Sequence, residues 1–287
     1  MDQEHRGFLF GILAAFAYSL LAISVRLCSS LPTAQILFLR FSIGFLVLMP
    51  WMLHSQVKIS FSKVPKNLLR SLAGIGSLAC FFYTVENMPL VNAMTFSNSS
   101  PLFLPLIYFL WKKLIIPKKR MVALVIGFLG VLVILRPSGE FFNPANCVGM
   151  LNGLLAAIAF ASIRELGKTE KTHTILFYYF LISVVISAVP AVVYWKEVET
   201  AELWMALLFM ALCGSVYQYF LTKSYEYAPV TKASIMTYLG VVFGGLLAWV
   251  FFKEVPSFWE ICGALLVIMG GVIALFDKSK AREWKAK

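Results

Sequence analysis

Acidic side chains are scarce in this chain. Of 287 residues, 14 are Asp or Glu against 25 Lys or Arg, and no carboxylate stands at the centre of a long apolar run. An enzyme would be expected to show a cluster of His, Asp or activated nucleophiles at a membrane face, and none is found, so no catalytic residues are expected. The histidines His5, His54 and His173 and the cysteines Cys28, Cys80, Cys147, Cys213 and Cys262 are scattered without a CxxC pair or ligand spacing. No metal site and no cofactor is expected. A GxxxxGK[ST] loop is also missing, which excludes ATP hydrolysis through a P-loop in this chain.

Apolar residues are abundant. With 60% hydrophobic residues, 14% charged residues and a mean hydropathy of +0.81, the composition is that of an integral membrane protein. The net charge of +11 would suit nucleic acid, but the Lys and Arg cluster between apolar runs and in the C-terminal tail, with no soluble module to present them. The lipid bilayer, not nucleic acid, is the expected partner. Runs long enough to span a bilayer fall near Gly7–Cys28, Thr33–Leu53, Asn67–Glu86, Val91–Trp111, Met121–Leu135, Cys147–Ile163, Thr174–Tyr194, Leu203–Glu226, Val230–Phe252 and Phe258–Phe276. The first is longer than a signal-peptide core and is read as a retained helix. The expected fold class is all-α: an integral membrane bundle of ten transmembrane helices. Trp51, Trp111, Trp195, Trp204 and Trp259 fall near span ends, as interfacial anchors should.

One set of span ends carries twenty of the basic residues, including Arg6, Lys66, Arg70, Lys112, Lys168 and the tail; the opposite set carries Arg26, Arg136, Lys196 and Lys253. The positive-inside rule then predicts a multi-pass plasma-membrane protein, in the inner membrane if the source is bacterial, with both termini cytoplasmic. Cys28 and Cys147 fall at the external ends in this topology, where an oxidising compartment would permit pairing if they were close.

The chain also repeats. At an offset of 140 residues Glu86 meets Glu226, Pro89 meets Pro229, Ala93 meets Ala233, Lys113 meets Lys253 and Gly130 meets Gly270. GFLFGILAAFAY from Gly7 and GMLNGLLAAIAF from Gly149 share seven of twelve residues, and ILFLRF from Ile36 resembles ILFYYF from Ile175. The expected organisation is a five-helix repeat over 7–137, a second over 149–277 and a basic cytoplasmic tail over 278–287. Five spans being odd, the second repeat enters from the opposite side. Inverted repeats of this kind serve alternating access around a midplane site.

These features resemble a known family. The opening helices GILAAFAY and GLLAAIAF, the segment APVTKAS and the stretch LLAWVFFKEVPSFWEICGALLVIMGGVIAL are similar to the EamA branch of the drug/metabolite transporter superfamily. Arg40 in ILFLRFSIGFL resembles that family's second-helix Arg, and Glu254 in FFKEVP its Glu after the ninth helix. The first repeat departs from the pattern, with Leu114 where the second has Glu254.

Candidate site residues follow from helix breaks and polar faces. The fourth span contains Ser97, Asn98, Ser99 and Ser100 before Pro101 and Pro105; the ninth contains Gly240, Gly244 and Gly245. Matching interruptions in inverted halves point to a cavity, although small residues also serve close helix packing. Asn92, Thr95, Asn98 and Ser99 in one half, and Ser234 and Tyr238 in the other, are candidate solute contacts or helix-bridging hydrogen bonds. Tyr18, Tyr178, Tyr179, Tyr217 and Gln218 are amphipathic groups suited to stacking on a ring or cation, Tyr83 is a further candidate contact one turn before Glu86, and Arg40 is suited to a carboxylate, a phosphate or an outer gate. Glu86 and Glu226 occupy opposite mouths as candidate gating residues or plain helix-end charges. The expected function is secondary transport of a small organic metabolite such as an amino acid, a nucleoside or an S-adenosylmethionine-like solute. A proton-coupled multidrug exporter and a non-transporting membrane enzyme or scaffold remain the alternatives, with oligomeric state open.

Overall fold

In lipid every backbone N–H and C=O must find its partner within the protein, and an apolar segment does this by coiling into a helix. The computed structural model describes residues 3–54, 64–115, 118–135, 143–228, 233, 236–276 and 282–283, and they are almost entirely helical. Six helices are long and apolar enough to cross a membrane: α1 (Gln3–Leu27), α2 (Thr33–His54), α3 (Val64–Asn87), α7 (Pro144–Leu166), α8 (Thr172–Val193) and α9 (Ala201–Tyr227). Between them lie α4 (Leu90–Ser97), α5 (Ser100–Lys112) and α6 (Lys118–Leu135), and after them α10 (Leu239–Phe252) and α11 (Phe258–Phe276). One small feature departs from the all-α expectation. Leu114–Ile115 pairs antiparallel with Arg282–Glu283, which ties the tail to the connection between α5 and α6.

The stretch expected to form the fourth span is broken into two helices. Asn98 and Ser99 form a turn between α4 and α5, and Thr237 and Tyr238 form one just before α10. The first break precedes Pro101, which sits in the opening turn of α5 where its missing N–H costs nothing, while Pro105 is carried inside that helix. Lys113 and Lys253, identical residues at the 140-residue offset, are the only non-glycine residues at positive φ among the described ones, at 49° and 55°. They close α5 and α10 in the same left-handed cap.

The principal packing pairs are α1 with α9, α6 with α11, α3 with α7, α2 with α8, α1 with α10, α2 with α9, α5 with α7, and α3 with α8. Small residues set the closest approaches. A Cβ on Gly130 would come within 2.7 Å of the Gly263 carbonyl of α11, and one on Gly270 within 2.7 Å of the Ala123 carbonyl of α6, so these helices meet backbone to backbone. The outer surface is apolar, with Leu110, Val189, Val192, Trp249 and Phe251 exposed, as a lipid-facing surface must be. Trp51, Trp111, Trp195, Trp204 and Trp259 are exposed as well.

Polar ties hold both ends of the bundle. At one end Arg26 pairs with Glu254, which also accepts from the backbone N–H of Leu90, and Gln35 makes two hydrogen bonds with the Lys196 backbone. At the lysine-rich end Glu165 pairs with Lys112 and Lys168, Arg164 donates to the carbonyls of Tyr225 and Glu226, and Ser224 donates to the Gly7 carbonyl.

Candidate functional site

A small polar cavity of about 30 Å³ lies inside the bundle, lined by Tyr18 of α1, Arg70, Gly74 and Ser77 of α3, Ser97 of α4, Phe160 of α7, and Tyr217 and Gln218 of α9. That volume holds about one water, so a solute needs the bundle to open. Tyr18 hydrogen-bonds Ser97 and stacks between Phe81 and Tyr217, with ring centroids 4.7 and 4.6 Å away. The Arg70 guanidinium lies 3.6 Å from the centroid of the Tyr179 ring and donates to Gln218 Oε1 at 2.8 Å. Gln218 in turn donates to the Tyr179 hydroxyl at 3.4 Å. Arg40, fully buried on α2, donates from Nη2 to the Gly214 carbonyl at 3.2 Å and lies 4.4 Å over the Phe41 ring.

Two glycines make room for the two arginines. A Cβ on Gly74 would lie 2.6 Å from Arg70 Nη1 and 2.9 Å from Tyr179 Cε2, and one on Gly214 would lie 2.8 Å from Arg40 Nε. Each glycine removes the side chain that would displace a guanidinium.

The structure gathers some of the sequence-derived candidates and disperses others. Tyr18, Tyr217 and Gln218 line the cavity, and Arg40 stands one turn away against α9. Tyr83 does not join them: it is exposed on the far side of α3. Thr95, although buried, donates its hydroxyl to the Val91 carbonyl of its own helix. Asn98 and Ser99 likewise bond back, to the carbonyls of Met94 and Phe96, and Asn92 is half-buried away from the cavity with Oδ1 unpaired. Tyr238 belongs to a separate cluster with Phe96, Leu102 and Val267, its hydroxyl without a partner. Ser234 lies outside the described residues, as do Lys58, Lys63, Lys232 and Arg136 of the basic pattern. The cavity is therefore lined by α1, α3, α4, α7 and α9, and neither break residue, Asn98 nor Tyr238, lines it.

Glu86 and Glu226 have matching partners at opposite ends. Glu86 accepts from the Thr33 hydroxyl at 3.0 and 3.1 Å; Glu226 accepts from the Thr172 hydroxyl and also from Lys223. Both threonines begin a helix, α2 and α8, so each carboxylate sits at a helix N-terminus, where the dipole favours negative charge. Cys28 and Cys147 are both free thiols, one buried and one exposed.

The profile of the EamA-like transporter family matches the chain twice, over residues 5–136 and 143–276. The chain belongs to that family. This EamA-like protein is 31% identical over 274 residues to the pseudopaline exporter CntI of Pseudomonas aeruginosa, covering 94% of the chain and 95% of that protein. It is 29% identical over 286 residues to the S-adenosylmethionine uptake transporter of Rickettsia conorii, covering 97% and 94%. The human solute carrier family 35 member G1 is 25% identical over 289 residues, covering 95% and 79%. A protein known from a crystal structure shares the fold, with a TM-score of 0.71 over 93% of this chain and 96% of that one at 16% identity. This EamA-like transporter is thus a multi-pass membrane protein of a family with both an exporter and an importer among its relatives, so membership does not assign a direction.

The residue that sequence reasoning missed is Arg70. Its nearness to Lys58, Lys63 and Lys66 puts it among the topology charges, but its side chain is 1% exposed and sits at the polar centre. The available signal was the face it shares: Arg70, Gly74 and Ser77 follow at i, i+4 and i+7, a polar and small stripe in an apolar helix. Tyr179 is among the amphipathic residues that the sequence offers for stacking on a cation, and Arg70 is the cation it meets.

Proposed function

We propose that this protein is a ten-span secondary transporter built from two inverted five-helix repeats, 7–137 and 149–277, that moves a small organic metabolite by alternating access. Both termini and the tail 278–287 face the cytoplasm in this reading, which puts the lysine-rich end inside. The observation that carries it is the pair of matched clasps at opposite ends of the bundle. Thr33–Glu86 and Thr172–Glu226 are the same two positions of the two repeats, since Thr33 and Thr172 are 139 residues apart and Glu86 and Glu226 are 140 apart. Two equivalent closures on opposite faces, with a contracted polar cavity between them, are what an occluded intermediate of alternating access requires.

The two matches to the family profile support the same division, as do the packing pairs. Exchanging the halves maps α1 with α9 onto α7 with α3, α5 with α7 onto α10 with α1, and α2 with α9 onto α8 with α3, and it maps α2 with α8 and α6 with α11 each onto itself. A proton-coupled cation exporter is less well supported, because among the described residues no carboxylate lines the cavity. The test is counterflow in proteoliposomes with radiolabelled amino acids, nucleosides and S-adenosylmethionine. Saturable uptake of one class, weakened in Gln218→Ala, is the expected result. Folded protein that exchanges no member of the panel would sink the reading.

A further inference from the structure

The centre of the bundle holds two positive charges and no negative one. Arg40 and Arg70 are 0% and 1% exposed and stack on the adjacent Phe41 and Tyr179 rings, whose centroids are 5.3 Å apart. Among the described residues neither makes an ion pair. Glu86 and Glu226 are occupied at the two ends, and Glu254 and Glu165 are held by Arg26, Lys112 and Lys168. Like charges buried together in lipid-embedded protein are costly unless something neutralises them.

The guanidinium edges point the same way. Arg40 uses Nη2 on Gly214, but its Nε and Nη1 have no partner; Arg70 uses Nη2 on Gln218, and its Nε and Nη1 have none. Their flat faces are satisfied by Phe41 and Tyr179, so what remains open on each arginine is N–H donors, the part that recognises oxyanions in a fork. The Asn152 amide nitrogen beside Ser77 is a further buried donor without a partner. The Tyr179 hydroxyl faces both guanidiniums, yet unpartnered donors still outnumber acceptors at this site, an excess that an anion would meet.

We propose that the transported solute carries an oxyanion group, a carboxylate or a phosphate, that seats against Arg70 and Arg40 beside Tyr179. The proposal rests on the transporter reading above and narrows its substrate class: neutral nucleosides and purely cationic amines are excluded. It also links binding to closure. Both arginines come from α2 and α3, whereas the groups that hold them, Tyr179, Gly214 and Gln218, come from α8 and α9. An anion drawing the guanidiniums together therefore acts across the interface between the halves, and a solute stabilises the occluded form by what it binds there.

The experiment is thermal stability of the purified full chain in detergent at constant ionic strength, titrated separately with succinate, inorganic phosphate, the neutral isostere succinamide and the diamine putrescine. Saturable stabilisation by succinate or phosphate, with none from succinamide or putrescine, is expected, and the stronger of the two anions identifies carboxylate or phosphate as the group. Arg70→Lys keeps the charge but loses the fork, and should raise the apparent dissociation constant about tenfold; Arg70→Gln should abolish the stabilisation. If Arg70→Gln does not fold, the wild-type titrations and Arg70→Lys still decide. Stabilisation by the diamide or the diamine equal to that by the anions would overturn the proposal, as would failure of both anions to protect the wild type. Should a neutral solute exchange in proteoliposomes under those conditions, the transporter reading survives and only the anion assignment falls; should nothing exchange, it is the transporter reading that has failed.

Discussion

Gly74→Ala is the substitution that tests the packing behind Arg70 most directly. The new methyl carbon would fall 2.6 Å from Arg70 Nη1 and 2.9 Å from Tyr179 Cε2, whereas carbon contacts relax at about 3.5 to 4.0 Å. A guanidinium end can swing, but here it is stacked 3.6 Å from the Tyr179 ring centroid, so ring and guanidinium must retreat together. That retreat strains the 2.8 Å bond to Gln218. Overpacking costs about 1 to 3 kcal/mol, the weakened charged hydrogen bond adds about 1.5 kcal/mol or more, and the helix propensity gained by alanine returns at most about 1 kcal/mol. The net expectation is a loss of roughly 2 kcal/mol or more. Gly214→Ala should behave alike, because its methyl would meet Arg40 Nε at 2.8 Å. Gly245→Ala is the control: its nearest neighbour is Val91 at 3.7 Å, an ordinary contact, and it should melt at or above the wild type. A thiol-reactive dye reads the melts, since Cys28 and Cys213 are buried in the folded state. If Gly74→Ala and Gly214→Ala melt with Gly245→Ala, the arginines are not held as described.

Thr33→Val and Thr172→Val each remove one hydroxyl bond to a glutamate, worth about 0.5 to 1.5 kcal/mol. They should shift alkylation of a reporter cysteine in the cavity in opposite directions, Thr33→Val toward external reagent and Thr172→Val toward cytoplasmic, and a shift in the same direction would refute the paired-clasp reading. Thr95→Ala should leave solute affinity unchanged, because the hydroxyl is already spent on the Val91 carbonyl, whereas Gln218→Ala should weaken it several-fold or more by freeing Arg70; equal effects in a binding titration would contradict the geometry. Reporter fusions after His54 and Lys168 should read cytoplasmic and one after Glu197 external, and the reverse pattern would invert the assigned orientation.

Patterns that repeat along the chain were legible in the sequence, and directions across a helix were not. Apolar length foretold the six long helices, and the serine–proline run of the fourth span foretold its break. The finer assignments failed where one helix turn decides the outcome. Tyr83 was grouped with Glu86 by proximity, yet it lies two residues beyond Phe81 and so about 200° around α3 from the face that Phe81 and Arg70 bury. Thr95, Asn98 and Ser99 satisfy their own helix, an outcome open to any Ser, Thr or Asn with a carbonyl one turn back. Arg70 was masked by its neighbours, because a Lys or Arg a turn or two inside a span ordinarily snorkels to the surface. It does not do so here since Gly74 opens the interior side of α3 and Tyr179 offers a ring to stack on.

On the two-repeat reading, the asymmetry of the centre follows from divergence at equivalent positions. Gly74 and Gly214 are counterparts, and each still backs a buried arginine. Arg40 has Tyr179 as its counterpart at the 139-residue offset, Ser77 has Tyr217, and Leu78 has Gln218. The first half therefore supplies both cations, while the second presents the ring, the amide and the backbone carbonyl that hold them. An arginine at position 179 as well would place still more positive charge in the centre, whereas the tyrosine there supplies a stacking face and a hydroxyl. A centre so divided cannot close around an anion using either half alone, so the occluded form depends on the two halves meeting, and Tyr179→Phe, which keeps the ring and deletes the hydroxyl that accepts from Gln218, should weaken anion binding by a few-fold while leaving the stack on Arg70 and the fold intact.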